Sequence, residues 1–404
     1  MFQKEKTENN KEVFRPDHTE LFTNKGYKKL PAGYPMKITY EPQYENLLRA
    51  LTVEGQDGLE FALSWLDNLD LDSIDGSLHR LLPIFYKKLN QYNLSGIPIK
   101  ELGRLKGIYR YYFYKNNLII NESSKIFHAL VEAKIEFMLL KGISLILGGY
   151  YQDYALRPID DIDILVDKKN EKEVLVFLKR FGWQKLDTIQ QQSHFINKDY
   201  KYKINLHRYL LTRHCSNFTD EDFWKYAEVK TFNDYTLRFP SPTDQVWHNC
   251  FHSIGYYAGP TILAVVDVIN ILKISQDTID WERLIATLKK WEQTYSILNT
   301  FLYVDSIVQN LVPYWVIKNL SEVKVSKKEK ILFNSFMHEQ KGIIKYWKLH
   351  FHNNPDKGLI YNMVTFPKYF KSLCGLNNFQ FIKLINKRLY KAAIKRIRNL
   401  TRNL

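Results

Sequence analysis

The sequence predicts an α+β protein, a small mixed-sheet core flanked by helical N- and C-terminal domains. Apolar residues recur at three- and four-residue spacing before residue 135 and again after residue 243, as on amphipathic helices. Between these regions, short apolar runs that stop at turn residues alternate with helix-like stretches, the pattern of a compact α/β or α+β unit. Of the 404 residues, 45% are hydrophobic and 15% aromatic, ample for a sizeable core, which excludes a disordered chain.

Residues 1–37 are polar and end in the breaker cluster PAGYP, so they read as a loosely held arm. The helical N-terminal domain follows over 38–134. YENLLRALTV, LEFALSWLDNL and LHRLLPIFYKKLNQY carry its first helices, and a long helix runs from about Ile99 to Lys134. The pattern changes over 135–242, the expected core. IEFMLLKG is short, apolar and stops at Gly142, as a buried strand would; a helix-like ISLILGG follows, and IDILV reads as a second strand. EKEVLVFLKRFGW is helical to Gly182, and SHFINKD and YKYKINLHRYL read as paired strands around Lys198–Asp199. Over 243–404, helical spacing returns at Gln245–Cys250, Ala264–Ile274, Trp281–Trp291, Tyr295–Gln309 and Lys327–Met337. No solenoid-period repeat or low-complexity tract interrupts it.

The net charge of +15 is local. Residues 321–404 hold 18 of the 58 Lys and Arg but 4 of the 43 Asp and Glu, so the first 320 residues are close to neutral. A general nucleic-acid-binding surface does not follow. The last segment, Phe381–Leu404, has eight basic residues, no acidic ones and an apolar stripe, and suits an anionic membrane surface, an acidic partner, nucleic acid or simple docking on the protein. No apolar run reaches the ~20 residues of a membrane span. Cys215, Cys250 and Cys374 are odd in number and widely separated, which fits a reducing compartment. A cytoplasmic protein is the expectation.

The strongest constellation is LLKGISLILGGYYQDYALRPIDDIDILV. On a strand, Asp161 and Asp163 share one face while apolar neighbours pack the other. Two adjacent carboxylates repel in such surroundings, and a hard divalent cation such as Mg²⁺ relieves both repulsion and desolvation. Upstream, Lys141, Gly142 and Ser144 offer a tight turn, backbone N–H groups and a hydroxyl for phosphates. Arg157 is poised between a clamp on pyrophosphate and an ion pair with Asp160 or Asp153.

These motifs resemble the bacterial family of uncharacterised nucleotidyltransferases within the DNA polymerase β-type superfamily. The resemblance rests on LLKGISL, Tyr151, Arg157, DDIDILV, INLH at 204–207, TDQVWHNCFHSI at 243–254 and VVDVINIL at 265–272, with LHRLLPIFYKKL as a helical preamble. It implies transfer of a nucleoside monophosphate from an NTP to a hydroxyl-bearing acceptor, with Mg²⁺ on Asp161 and Asp163 and the triphosphate at Gly142 and Ser144; Lys141 and Arg157 are the further nucleotide-binding candidates. Where relatives carry a third carboxylate this chain has Asn205, a possible ligand that takes no proton. His207, on the same strand face, is the candidate general base. A catalytically degenerate nucleotide-binding protein, or an interaction protein acting through its basic tail, are the alternatives.

Other candidates have plainer readings. His248, Cys250 and His252 lack further ligands at zinc spacing, so His252 lines the cleft or packs. Asp267, in an apolar helix, pairs with a basic group or faces the site. The aromatic run at 109–115 reads as packing rather than base stacking.

Overall fold

The computed structural model describes residues 40, 42–92, 100–167, 169–189, 192–197, 199, 202–210, 220–256, 261–327, 329–330, 333, 347, 350 and 358–374. Helices α1 (Pro42–Thr52), α2 (Gly55–Leu66), α3 (Gly76–His79) and α4 (Leu82–Gln91) lead into α5 (Leu102–Glu132), within the span the sequence assigns to one long helix. Strand β1 (Phe137–Leu140), α6 (Lys141–Leu147), β2 (Asp161–Val166), α7 (Glu171–Arg180), β3 (Gln184–Ile189), β4 (Gln192–Ile196) and β5 (Lys203–His207) form the core. After α8 (Glu221–Tyr226), β6 (Glu228–Phe232) and β7 (Tyr235–Phe239) make a hairpin. Helices α9 (Pro242–Tyr256), α10 (Ile262–Ser275), α11 (Trp281–Lys290), α12 (Thr294–Ile307), α13 (Tyr314–Ser321) and α14 (Gly358–Cys374) complete the described chain.

The five-stranded sheet has the order β1-β2-β5-β4-β3, with β2 and β5 parallel and the other pairs antiparallel. The mixed α and β architecture is therefore as the sequence predicts. Two parts of it are not anticipated. QKLDTI forms the edge strand β3 although Lys185, Asp187 and Thr188 dilute its apolar character. The β6–β7 hairpin turns at Asn233–Asp234, with Asn233 at φ 55°, a two-residue turn signal of the kind that joins hairpins.

Strand alternation decides what faces what. Ile162, Ile164, Val166, Leu139, Ile204 and Leu206 pack in one core with Ile119, Ile126 and Phe127 of α5 and Val174 of α7. Met138, Leu140 and Leu165, one residue out of phase, pack in a second core with α1, α4, α9, α10 and α12. The N- and C-terminal helices thus contribute to one continuous core on that side of the sheet. Asp161 and Asp163 are in phase with Leu165, so β2 turns both carboxylates toward this second helical layer.

The aromatic run on α5 splits by helical phase. Tyr112 is buried, whereas Tyr111 and Tyr114 are 58% and 71% exposed, so packing accounts for only part of it. Helix Lys327–Met337 and segment Phe381–Leu404 lie largely or wholly outside the described residues. None of the described helices is long and apolar enough to cross a membrane.

Candidate functional site

The register of three strands assembles the site. Leu140 pairs with Asp163 across β1–β2, and Asp163 pairs with Asn205 across β2–β5. The residue after Leu140 is Lys141, at the β1–α6 junction. Its φ of 55° is uncommon for a side chain larger than glycine and costs on the order of 1 kcal/mol. That conformation accompanies a short contact, in which Lys141 Nζ donates to Asp163 Oδ1 at 2.7 Å. His207 Nε2 lies 2.7 Å from the same oxygen. Asn205 Nδ2 donates to Asp161 Oδ2 at 2.8 Å and to Asp163 Oδ1 at 3.3 Å. The structure therefore brings Lys141, Asp161, Asp163, Asn205 and His207 onto one sheet face.

The electrostatics of the two carboxylates diverge. Burial would raise Asp163, but the Lys141 ammonium and His207 hold it well below the usual carboxylate range. Asp161 is raised by burial and by the negative charge of Asp163, against the pull of Lys141. Burial, reinforced by Lys141, lowers His207, which favours the neutral imidazole. Its Nε2–H then donates to Asp163. Nδ1 is buried and has no hydrogen-bond partner among the described residues.

The donor set fits a hard divalent cation in kind. Two carboxylates stand side by side at a cost in repulsion, and the Asn205 carboxamide, turned over, presents a third oxygen. Among the described residues no three His, Cys, Asp or Glu side chains are grouped as metal ligands. Lys141 holds part of the charge that a cation would balance.

The remaining predicted residues are placed differently. Gly142 follows Lys141, and a Cβ there would lie 2.8 Å from Ile159 Cγ2 and 3.4 Å from Arg157 Nη1, so the turn and the 157–159 segment touch closely. Ser144 is fully buried, and its hydroxyl accepts from Gln245 Nε2 of α9 at 2.6 Å, so it ties α6 to α9 instead of opening onto a phosphate cradle. Arg157 pairs with neither Asp160 nor Asp153. Its Nε and Nη2 donate to Asp267 Oδ1 and Oδ2 at 2.7 and 2.8 Å, and Tyr151 Oη donates to Asp267 Oδ1 at 2.6 Å. Of the two roles open to it, the ion pair is formed, with a different carboxylate from those expected: the Nε–Nη2 edge holds buried Asp267 on α10, and Nη1 donates to the Pro158 carbonyl at 2.8 Å. Asp267 thereby has its basic partner.

Asp160 instead carries two cations that the sequence does not reveal as site residues. Arg80 Nη1 stands 3.3 Å from Asp160 Oδ2, and Lys115 donates to Asp160 Oδ1. Both come from helical segments whose spacing reads as ordinary packing. His248 is a further surprise. It is buried with neither ring nitrogen hydrogen-bonded among the described residues, and burial, with Lys141 and His207, lowers its pKa to about 3.

Residues 77–309, more than half of the chain, match the uncharacterised nucleotidyltransferase family. The chain belongs to that family. The matched span begins just ahead of Arg80 and runs beyond Asp267, so it takes in every site residue described above. The chain is also similar in structure to an antigenic nucleotidyltransferase-like protein from Paracoccidioides brasiliensis, at 11% identity over 48% of this chain and 97% of that one, with a TM-score of 0.31. No protein of curated function matches.

Proposed function

We propose that the protein transfers a nucleoside monophosphate from an NTP to a hydroxyl-bearing acceptor, a small molecule, a sugar or a protein, with release of pyrophosphate. The observation that carries this reading is the face-to-face set of Asp161, Asp163, Asn205 and His207 beside the Lys141–Gly142 turn, in a chain of nucleotidyltransferase family. Mg²⁺ held by Asp161 and Asp163, with Asn205 as a neutral ligand, would supply Lewis-acid stabilisation of charge at the α-phosphate.

His207 is suited to the proton. With Nε2–H donated to Asp163, the lone pair lies on Nδ1, and the carboxylate stabilises the imidazolium that forms. The acceptor oxygen attacks the α-phosphorus, its proton passes to His207 Nδ1, and the bond to the bridging oxygen of pyrophosphate breaks.

The test is Mg²⁺-dependent thermal stabilisation by each of the four NTPs, beside protein carrying Asp161→Asn and Asp163→Asn. Stabilisation by at least one Mg–NTP that disappears in the double variant is the expected result. Asn205 in place of a third carboxylate motivates one second reading, a nucleotide binder that does not turn over. Binding without pyrophosphate release in the presence of varied acceptors would favour it. No stabilisation by any nucleotide would sink both.

A further inference from the structure

The reading above leaves the leaving group without a cationic side chain. Arg157 gives Nε and Nη2 to Asp267 and Nη1 to the Pro158 carbonyl, and Lys141 donates to Asp163. The leaving pyrophosphate of an NTP carries most of the substrate's negative charge and calls for a cation that solvent can reach.

We propose that Arg80, from the N-terminal helical layer, is the phosphate-binding residue of this site and receives the β- and γ-phosphates of the NTP; the inference rests on the nucleotidyl-transfer reading. Three observations converge on it. Arg80 Nη2 donates to the Pro158 carbonyl at 2.9 Å and Nη1 faces Asp160 at 3.3 Å, so the guanidinium sits on the segment that runs directly into Asp161. That segment is the one Gly142 touches through Ile159 and Arg157. The glycine turn, the guanidinium and the first carboxylate therefore meet around residues 157–161.

The second observation is charge. Arg80 and Lys115 share the single carboxylate of Asp160, whose side chain is 56% exposed. Two cations thus converge on one half-exposed carboxylate at the rim, with Asp161 the next negative charge within Arg80's reach. The third is access. A third of the Arg80 side chain is exposed, and Nη1, whose partner Asp160 is itself half exposed, is the terminal nitrogen that phosphate oxygens would meet. Asp160 holds Arg80 in place until phosphate takes over its Nη1.

Arg80 as a mere clasp between the helical layer and the 157–160 segment is the competing role, and the two predict opposite signs. The test measures dissociation constants of full-length protein for Mg–NTP, Mg–tripolyphosphate and the unphosphorylated nucleoside, using Arg80→Ala, Arg80→Lys and Asp160→Asn. The expected result is a loss of about tenfold or more for both phosphate ligands in Arg80→Ala, with nucleoside binding unchanged. Arg80→Lys should fall between wild type and alanine, and Asp160→Asn, which releases two cations, should bind both phosphate ligands more tightly. Arg80→Ala within about twofold of wild type, or weakening by Asp160→Asn in parallel with Arg80→Ala, overturns the proposal. If Arg80→Ala does not fold, the Arg80→Lys and Asp160→Asn pair decides by the same signs. Wild-type protein that binds no Mg–NTP refutes nucleotidyl transfer itself, which is a different outcome from a wild type that binds and an indifferent Arg80→Ala.

Discussion

Replacing Arg157 with Met tests whether the β2 approach is anchored to α10 by charge. The side chains of Arg157 and Asp267 are 11% and 3% exposed, so solvent screens the pair little. Methionine keeps most of the apolar stem and removes the two donors, leaving Asp267 with Tyr151 Oη at 2.6 Å. Removing one partner of a buried pair costs about 3–5 kcal/mol, because the surviving charge is uncompensated. The remaining tyrosine bond places this case near the lower figure. At about 2 °C per kcal/mol for a chain of this size, the melting temperature should fall by ~6 °C. Differential scanning fluorimetry and urea unfolding read this directly. Arg157→Met/Asp267→Leu should recover most of the loss, since neither charge is left behind, and the coupling in the double-mutant cycle should exceed about 1 kcal/mol. A single Arg157→Met that melts within about 1 °C of wild type would refute the argument, because an uncompensated buried carboxylate cannot be that cheap.

Two further outcomes follow from the site. Asn205→Asp replaces an amide that donates to both carboxylates with a third negative charge, so metal-free protein should melt lower and millimolar Mg²⁺ or Mn²⁺ should restore it; equal metal stabilisation of variant and wild type would contradict the proposed ligand role. His248 ties stability to pH. Its folded-state pKa of about 3 lies below the ordinary 6.5, so as pH falls below 6.5 the unfolded chain takes up a proton that the folded protein refuses. Stability should therefore drop by about 1.4 kcal/mol per pH unit from this residue, roughly 2 kcal/mol between pH 7 and pH 5. His248→Leu should lose less stability than wild type over that interval by this amount, and equal losses in urea titrations at the two pH values would count against a neutral buried imidazole.

Much of the site is legible in the sequence because strand periodicity is local. With side chains alternating, Asp161 and Asp163 fall on one face of β2, and Asn205 and His207 on one face of β5, before any partner strand is known. The alternation of IDILV and the glycine after LLK suffice to place a strand–turn–helix and a paired carboxylate strand. The hairpin at 228–239 had a signal too, Asn–Asp between short runs with polar and apolar residues in alternation. β3 had little, since its residues are mostly polar and its pairing with β4 supplies what propensity does not.

What the sequence by itself determined is thus the alternation of elements and the chemistry carried on each strand face, because these depend on residues a few positions apart. The tertiary structure alone decided which charge meets which. Arg157 and Asp267 are 110 positions apart, and Arg80 stands 80 positions from the Asp160 it pairs with. A carboxylate accepts any cation that the fold carries within reach, and burial then makes that pairing strong. Neither distance nor burial is written in residue spacing. Arg157 therefore stayed open between a phosphate clamp and an ion pair, and Arg80 was one more residue of a helical stretch, until the helical layers closed over the sheet.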